Sequence, residues 1–155
     1  NKSYQVHNET VDVAHCIKEW IETVHKRYHD AFIGYSSPPQ LFAQVDPVLL
    51  ESIVNNLIDN AIKYAGKDAG INIQLDVYDH TFSIVVADSG KGISENERQQ
   101  VFEKFYRIGD EETRKVPGSG LGLFIVSEFV RLQNGSIRCL SNQPKGTKFE
   151  VILPL

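Results

Sequence analysis

The chain has 155 residues, of which 41% are hydrophobic and 23% are charged. This length and composition fit one globular domain and exclude disorder as the main state. The net charge of −4 argues against nucleic acid or a membrane surface as a partner, since both attract a basic face. No apolar run approaches the roughly 20 residues that span a bilayer, and no secretory signal is recognisable.

Two features of composition bear on the setting of the protein. The chain contains no methionine, so we expect it to be a piece of a longer protein. Cys16 and Cys139 lack the C-x-x-C spacing of metal sites, so neither a metal site nor a disulfide framework is predicted. A reducing, cytoplasmic setting is the expectation that follows.

The first part of the chain is predicted to hold two helices and two short strands. Asp46 is a good N-cap before Pro47, and Gly66 is typical of the position just past a helix end. Apolar residues recur at three- and four-residue steps in both helices. In order, we predict a polar linker end at 1–10, a helix from Val11 to His29, strands Ala31–Tyr35 and Leu41–Val45, and a helix from Pro47 to about Ala65.

The remainder is predicted to hold four strands and two helical segments. Alternating apolar residues indicate the strands, and helical periodicity returns near the C-terminus. The simplest packing of this mixture is a sheet with its helices on one face. In order, we predict strands around 71–77 and 82–86, a glycine loop at 88–92, a short helix around Glu95–Phe105, a mobile loop at 108–118, a helix at Leu121–Leu132, and strands Ser136–Ser141 and Thr147–Leu153.

A polar stripe runs along the helix that follows Pro47. Ser52, Asn56, Asn60 and Lys63 lie at steps of four, four and three, and so share one helix face. An Asn carbonyl can ligate Mg²⁺, which prefers oxygen donors, and a Lys one turn on can meet a phosphate. A merely solvated helix face is the alternative interpretation.

Two glycine-rich segments flank the charged loop. The first is Asp88-Ser89-Gly90-Lys91-Gly92-Ile93, in which the carboxylate can accept a hydrogen bond from the exocyclic amine of adenine, or can simply form a turn. The second is Gly118-Ser119-Gly120-Leu121-Gly122-Leu123, whose backbone N–H groups at a helix start suit a phosphate. It matches neither the Rossmann fingerprint nor a Walker A loop.

Two smaller motifs complete the set. In the segment from Phe102 to Arg107, Phe102 and Phe105 are predicted to pin the chain to the core. Arg107 can swing towards a phosphate or form a surface ion pair. The hydroxyl of Thr147, after Gly146, can join the hydrogen bonds around Asp88 or simply end a turn.

The order and spacing of these motifs resemble the catalytic ATP-binding domain of sensor histidine kinases, from about Asp46 to the C-terminus. The resemblance implies an α/β (α+β) two-layer sandwich of the Bergerat type, with a mixed sheet and helices on one face. It implies Mg²⁺ at Asn60 with Asn56 beside it, and Asp88 reading adenine. It gives catalytic positions to Asn56, Lys63 and Arg107. The implied ATP-binding residues are Asn56, Asn60, Lys63, Tyr64, Asp88, Gly90, Gly92, Ile93, Gly118, Gly120, Leu121, Gly122 and Thr147.

One departure from the wider superfamily favours phosphoryl transfer over hydrolysis. The related gyrase-type and chaperone ATPases carry a water-activating Glu where Asn56 stands. Asp59 and Glu51 are interpreted as pointing away from that register. The sequence thus lacks an evident base for water. A gyrase- or chaperone-type ATPase and a non-catalytic nucleotide sensor remain the alternative functions.

The phosphoacceptor histidine of this family lies on a separate dimerisation domain. The histidines of this chain are His7, His15, His25, His29 and His80. None of them has the neighbouring sequence expected of that phosphoacceptor. We therefore expect residues 1–10 to end a linker from that domain and 11–155 to be the catalytic domain, with residues 108–119 as a lid. The implied partners are that dimerisation domain and a downstream response regulator. The expected state is a monomeric cytoplasmic domain without nucleic-acid or membrane contact, whose parent can be a membrane-bound sensor kinase.

Overall fold

The computed structural model describes residues 4–66, 70–108 and 120–155. None of the helices in these ranges is long and apolar enough to cross a membrane. The strands are β1 (Glu9–Asp12), β2 (Phe32–Ser36), β3 (Phe42–Val45), β4 (Gly70–Val77), β5 (Thr81–Asp88), β6 (Ser136–Ser141) and β7 (Thr147–Pro154), and the helices are α1 (Val13–Arg27), α2 (Pro47–Ala65) and α3 (Gly122–Leu132).

Five of these strands form one mixed sheet in the order β2-β4-β5-β7-β6. The pair β2–β4 is parallel, and the other neighbours are antiparallel. A parallel pair needs a long crossover connection, which β3 and α2 provide. Strands β1 and β3 form a separate antiparallel pair.

The core lies between the helices and one face of the sheet. Alternate residues of the central strands are buried, as expected when a sheet packs on one side only. The register places Ile73, Val86 and Phe149 beside one another in adjacent strands. Leu57 of α2 and Val126 of α3 are fully buried. The predicted two-layer sandwich with helices on one face is confirmed.

Two local predictions differ from the structure. The first helix begins at Val13 instead of Val11, because residues Glu9–Asp12 pair with β3 as a strand. Val11 and Val13 are both buried, and two apolar residues two apart fit a strand as well as a helix. The predicted helix around Glu95–Phe105 is instead two 3₁₀ turns, since its apolar residues gather at one end and form no helical stripe.

Asp46 connects the start of α2 to the beginning of the chain. Its Oδ1 accepts hydrogen bonds from the N–H groups of Val48 and Leu49, at 3.0 and 3.3 Å. Its Oδ2 accepts from the Tyr4 hydroxyl and the His7 N–H, both at 2.9 Å. Burial alone would raise the pKa of the Asp46 carboxyl, but these hydrogen bonds outweigh burial and hold the pKa below its usual value.

We expect the Asp46→Ala variant to lose about 1–2 kcal/mol of unfolding free energy at neutral pH, the usual loss at an N-cap. Because folding lowers the pKa of Asp46, its stabilisation is present above the ordinary Asp pKa and disappears as pH falls through the folded-state pKa. Urea unfolding at pH 7 and at several values below pH 4 measures this. Asp79→Ala, in the exposed β4–β5 turn, is the control. A difference between variant and wild type that stays constant with pH would contradict the linkage.

Candidate functional site

One face of α2 and the start of α3 line a cavity of about 410 Å³. Asn56, Asn60 and Lys63 line it from α2, and the segment 120–122 lines it from α3. The structure therefore brings the predicted polar stripe and the second glycine segment to the same place. Ser52, the first member of the stripe, instead hydrogen-bonds Asn56.

The side chain of Asn56 is held in one orientation. Its Nδ2 donates to the backbone oxygen of Ser52 at 2.8 Å and to the Ser52 hydroxyl at 3.2 Å. The Oδ1 then points towards α3, where a Cβ added at Gly122 would lie 3.4 Å away. Asn56 thus presents an amide oxygen between the two helices.

Helix α3 begins with Leu121 at its N-cap position, and in the described part of the chain no side chain caps this end. Uncapped N–H groups, together with the helix dipole, attract anions such as phosphate. This helix start faces a cavity that also holds the Lys63 side chain, so the cavity suits a polyanion.

Gly120 allows two chain segments to pass in contact. Its φ is +76°, and an added Cβ would lie 2.5 Å from the Tyr106 backbone oxygen. The Phe105 N–H donates to the Gly120 oxygen at 3.1 Å. Residues 109–119, which include Gly118 and most of the predicted lid, lie outside the described residues.

Asp88, at the end of β5, is only 5% exposed. Its Oδ1 accepts the Gly90 N–H at 2.9 Å. The backbone of Thr147, its partner in the register of β5 and β7, also hydrogen-bonds the carboxylate. Burial raises the pKa of Asp88, and these hydrogen bonds offset it only in part. A buried acceptor with a raised pKa at a cleft is a candidate for recognising a ligand.

The surroundings of Asp88 form a narrow cleft of about 10 Å³. Gly92, Ile93 and Thr147 line it, and Gly90 lies against the backbone at the end of α2. A nucleobase needs more room than this cleft offers in the structure.

The narrow cleft and the larger cavity adjoin each other. Asn60, Tyr64 and Ile108 line both of them. A single site therefore runs from the buried carboxylate of Asp88 to the start of α3. Its two ends are chemically distinct, with a buried acceptor at one and helix N–H groups beside Lys63 at the other.

The segment from Phe102 to Arg107 only partly follows its prediction. Phe102 packs edge-on against Phe149 with ring centroids 6.0 Å apart, as predicted for a core contact. The prediction for Phe105 is wrong: its side chain is 61% exposed, and its φ of +66° turns it out of the core. Arg107 is half-buried, between the cavity-lining residues Tyr106 and Ile108.

Asp59, which the sequence interpretation takes to point away from the register of Asn56, also lines the larger cavity together with Asn56 and Asn60. It follows Asn56 by three residues and precedes Lys63 by four, so the helical periodicity itself carried this signal. The site therefore contains a carboxylate that the sequence interpretation placed elsewhere.

Within the part of the chain that the structure describes, the metal-ligating residue types do not cluster. Among residues 4–66, 70–108 and 120–155, no group of three His, Cys, Asp or Glu side chains could hold a metal ion. Cys16 and Cys139 are free thiols, as expected, and burial raises the pKa of Cys139 to about 11. The amide oxygens of Asn56 and Asn60 in the cavity are hard donors that fit Mg²⁺, which binds few protein ligands.

Comparison with known proteins agrees with this architecture. The sequence profile of the histidine kinase-, DNA gyrase B-, and HSP90-like ATPase family matches residues 45–155. The sensor histidine kinase WalK of Bacillus subtilis is 31% identical over 99% of this chain and 26% of its own length. The sensor protein CiaH of Streptococcus pneumoniae is 37% identical over 68% of this chain and 24% of its own length.

Solved structures show the same fold. The mycobacterial sensor histidine kinase MprB superposes with a TM-score of 0.83 at 31% identity, covering 96% of this chain and 97% of that structure. Full-length ShkA in complex with AMPPNP gives a TM-score of 0.85 at 24% identity, covering 99% of this chain and 32% of that one.

The chain thus belongs to the histidine kinase-, DNA gyrase B- and HSP90-like ATPase family, as its motifs predicted. Within that family it is an ATP-binding catalytic domain of the sensor histidine kinase type. It spans about a quarter of the length of the curated relatives it matches.

Proposed function

We propose that this domain binds Mg-ATP and transfers the terminal phosphoryl group to a histidine on a separate dimerisation domain. The observation that carries the proposal is the single site joining buried Asp88 to the N-terminus of α3, where Lys63 also lies. One end has an acceptor suited to an adenine amine, and the other has donors and a cation suited to phosphates.

The positions of Asp88, Tyr64 and Lys63 support a role for each. Asp88 accepts a hydrogen bond from adenine, Tyr64 lines the route between base and phosphates, and Lys63 neutralises phosphate charge, while the N–H groups at 120–122 orient the phosphates. Among the described residues, those that line the two cavities do not include Arg107, and its role in neutralising phosphate charge is proposed from its sequence motif alone. Positioning and charge neutralisation of this kind supply most of the catalysis in phosphoryl transfer.

Asn60 and Asn56 would hold Mg²⁺ in this proposal. The fixed Oδ1 of Asn56 and the position of Asn60, where the two halves of the site meet, support the assignment. When bound, the ion shields the negative charge of the phosphates.

The partners in this proposal follow from the family membership. The sequence-based boundary between residues 10 and 11 falls inside β1, so in this proposal the linker from the dimerisation domain would end before Glu9, and β1 would open the catalytic unit that runs to residue 155. The phosphoryl group would pass from histidine to an aspartate of a response regulator. The proposed setting is cytoplasmic.

The test of this function is phosphorylation of the parent protein that contains both domains. Incubation with Mg-ATP should give a phosphoprotein that survives base and is lost in acid, as phosphohistidine is. Nucleotide binding without any such product would leave a nucleotide sensor as the function.

We expect the Asn60→Ala variant of this chain to bind an ATP analogue roughly tenfold more weakly in Mg²⁺, because a metal ligand has been removed. Calorimetric titration with a non-hydrolysable analogue measures the change. Asn72→Ala, on the exposed side of β4, is the matched control. Unchanged Mg²⁺-dependent binding by the Asn60 variant would show that the metal assignment is wrong.

Hydrolysis is a second candidate because Asp59 brings a carboxylate into the cavity. A carboxylate within reach of the terminal phosphate can activate water. Steady phosphate release by the isolated wild-type chain, abolished in Asp59→Asn, would support it.

A further inference from the structure

The carboxylate of Asp59 has an unmet hydrogen-bonding requirement. Its Oδ1 is shielded from solvent and makes no hydrogen bond within the described part of the chain. Buried polar atoms are normally hydrogen-bonded, so an exception calls for an explanation such as a bound water or ion. Asp59 also lines the cavity together with Asn56 and Lys63, so its charge bears on this site.

Arg27, at the end of α1, forms an ion pair with this carboxylate. Its guanidinium lies 3.6 Å from Asp59 Oδ1, which is an ion pair but too long for a hydrogen bond. The guanidinium also lies over the ring of Tyr28, 5.6 Å from the centroid. A helix-to-helix contact of this kind restricts the rotation of the Asp59 side chain.

Part of the Asp59 side chain remains accessible. The side chain is 30% exposed although Oδ1 is shielded, so the exposed area belongs to its other atoms. One oxygen thus faces Arg27, and Asp59 is at the same time one of the residues that line the cavity. Phosphate oxygens would be repelled there, because both groups are anionic.

A hydrated cation satisfies this geometry where a phosphate does not. Mg²⁺ in proteins keeps several of its water molecules, and each of these donates hydrogen bonds. Carboxylates that accept from metal-bound groups orient them and strengthen metal binding. Asp59 neighbours Asn60, the proposed ligand, in sequence and in the cavity.

We infer that Asp59 is a positioning residue that makes the site select metal-loaded over metal-free nucleotide, with Arg27 fixing its orientation. The inference rests on the proposed function, since it needs Mg-ATP as the ligand. Asp59 accepts hydrogen bonds from water molecules on the ion and repels a nucleotide that lacks the ion. Its effect is therefore on the coupling between metal and nucleotide, more than on nucleotide binding itself.

The experiment measures the affinity of this chain for a non-hydrolysable ATP analogue in Mg²⁺ and in EDTA. For wild type, binding should be tighter in Mg²⁺. In Asp59→Asn the ratio of the two dissociation constants should shrink about tenfold, with metal-free binding unchanged or tighter. Arg27→Gln should shrink the ratio less. Glu51→Gln removes an exposed charge from the same helix outside the cavity and should leave the ratio as in wild type.

Three outcomes separate the possibilities, once thermal unfolding shows that the variants are folded. A smaller ratio in Asp59→Asn alongside an unchanged Glu51→Gln ratio supports the inference. A wild-type ratio in Asp59→Asn, or equal weakening with and without metal, overturns it while leaving the proposed function intact. If Mg²⁺ does not change the affinity of the wild-type chain for the nucleotide analogue, both the inference and the metal part of the proposed function are overturned.

Discussion

The Asp88→Asn variant is expected to bind an ATP analogue up to about 100-fold more weakly than wild type, because a hydrogen bond to a charged acceptor is lost. The Gly90 and Thr147 backbone groups that now donate to the carboxylate would donate to the amide oxygen of the substituted side chain. The NH₂ group of that side chain would then face the amine of adenine, donor against donor. Calorimetric titration in Mg²⁺ measures the loss.

Stability should change little in the same variant. Burial raises the folded-state pKa of Asp88, so the folded chain binds more protons than the unfolded chain above the ordinary Asp pKa. The ionised group therefore destabilises the fold as pH rises through its folded-state pKa, and the Asp88→Asn variant should stay within about 1 kcal/mol of wild type at neutral pH. Asp79→Asn is the control for charge. If the Asp88→Asn variant bound the ATP analogue with wild-type affinity, Asp88 would not be part of the binding site.

The second large effect is expected at Gly146, in the turn before β7. Its φ is +115°, and an added Cβ would overlap the backbone oxygen of Asp88. In the Gly146→Ala variant the backbone would be strained, and the new Cβ would also clash with the Asp88 backbone. Because that oxygen is part of the backbone, no side-chain rotation can relieve the clash. We expect a loss of roughly 3 to 6 kcal/mol of unfolding free energy, measured by urea denaturation.

Two other glycines allow the cost of backbone strain to be measured apart from the cost of the clash. Gly66, at the end of α2, also has a positive φ, +88°, but no atom of the described residues beyond its chain neighbours lies within 4 Å of where a Cβ would be. Gly66→Ala should therefore lose only about 1–3 kcal/mol through backbone strain. Gly70 likewise has no close neighbour among the described residues and has a φ outside the left-handed region, so Gly70→Ala should stay within about 0.5 kcal/mol of wild type. Equal losses at Gly146 and Gly66 would contradict a role for the clash.

Helix α2 shows what local sequence can predict. Its cap residue, Asp46, and its terminal Gly66 act within one turn of chain, so its bounds were predicted to the residue. The polar stripe it presents follows from helical geometry alone. Most of the candidate site was therefore predictable, because α2, the end of β5 and the start of α3 each carry their chemistry in a few consecutive residues.

Strand pairing could not be predicted in the same way. The parallel contact of β2 with β4 and the separate pair of β1 with β3 depend on which partner each edge meets in the folded chain. Short apolar runs leave that choice open. The exposure of Phe105 was missed for a related reason, because hydrophobic character says nothing of a backbone φ that turns the ring to solvent.

Asp59 was missed through a different error. The stripe was counted mainly in steps of four from Ser52, and a residue three after Asn56 was treated as lying elsewhere. An α-helix turns by 3.6 residues, so residues three and four apart both share a face. Its ion pair with Arg27, however, joins two helices distant in sequence and needed the structure.

The way the two hairpins join determines when the Asp88 end of the site can form. The pairs β4–β5 and β6–β7 each close across a short turn, whereas β5–β7 joins segments far apart in sequence and has the larger loop-closure entropy. Asp88 and Thr147 face each other across that junction. We infer that a chain with only its hairpins formed has no assembled carboxylate site. A nucleotide bound at a junction made late in folding lengthens the lifetime of the native domain by slowing unfolding, with little effect on the folding rate.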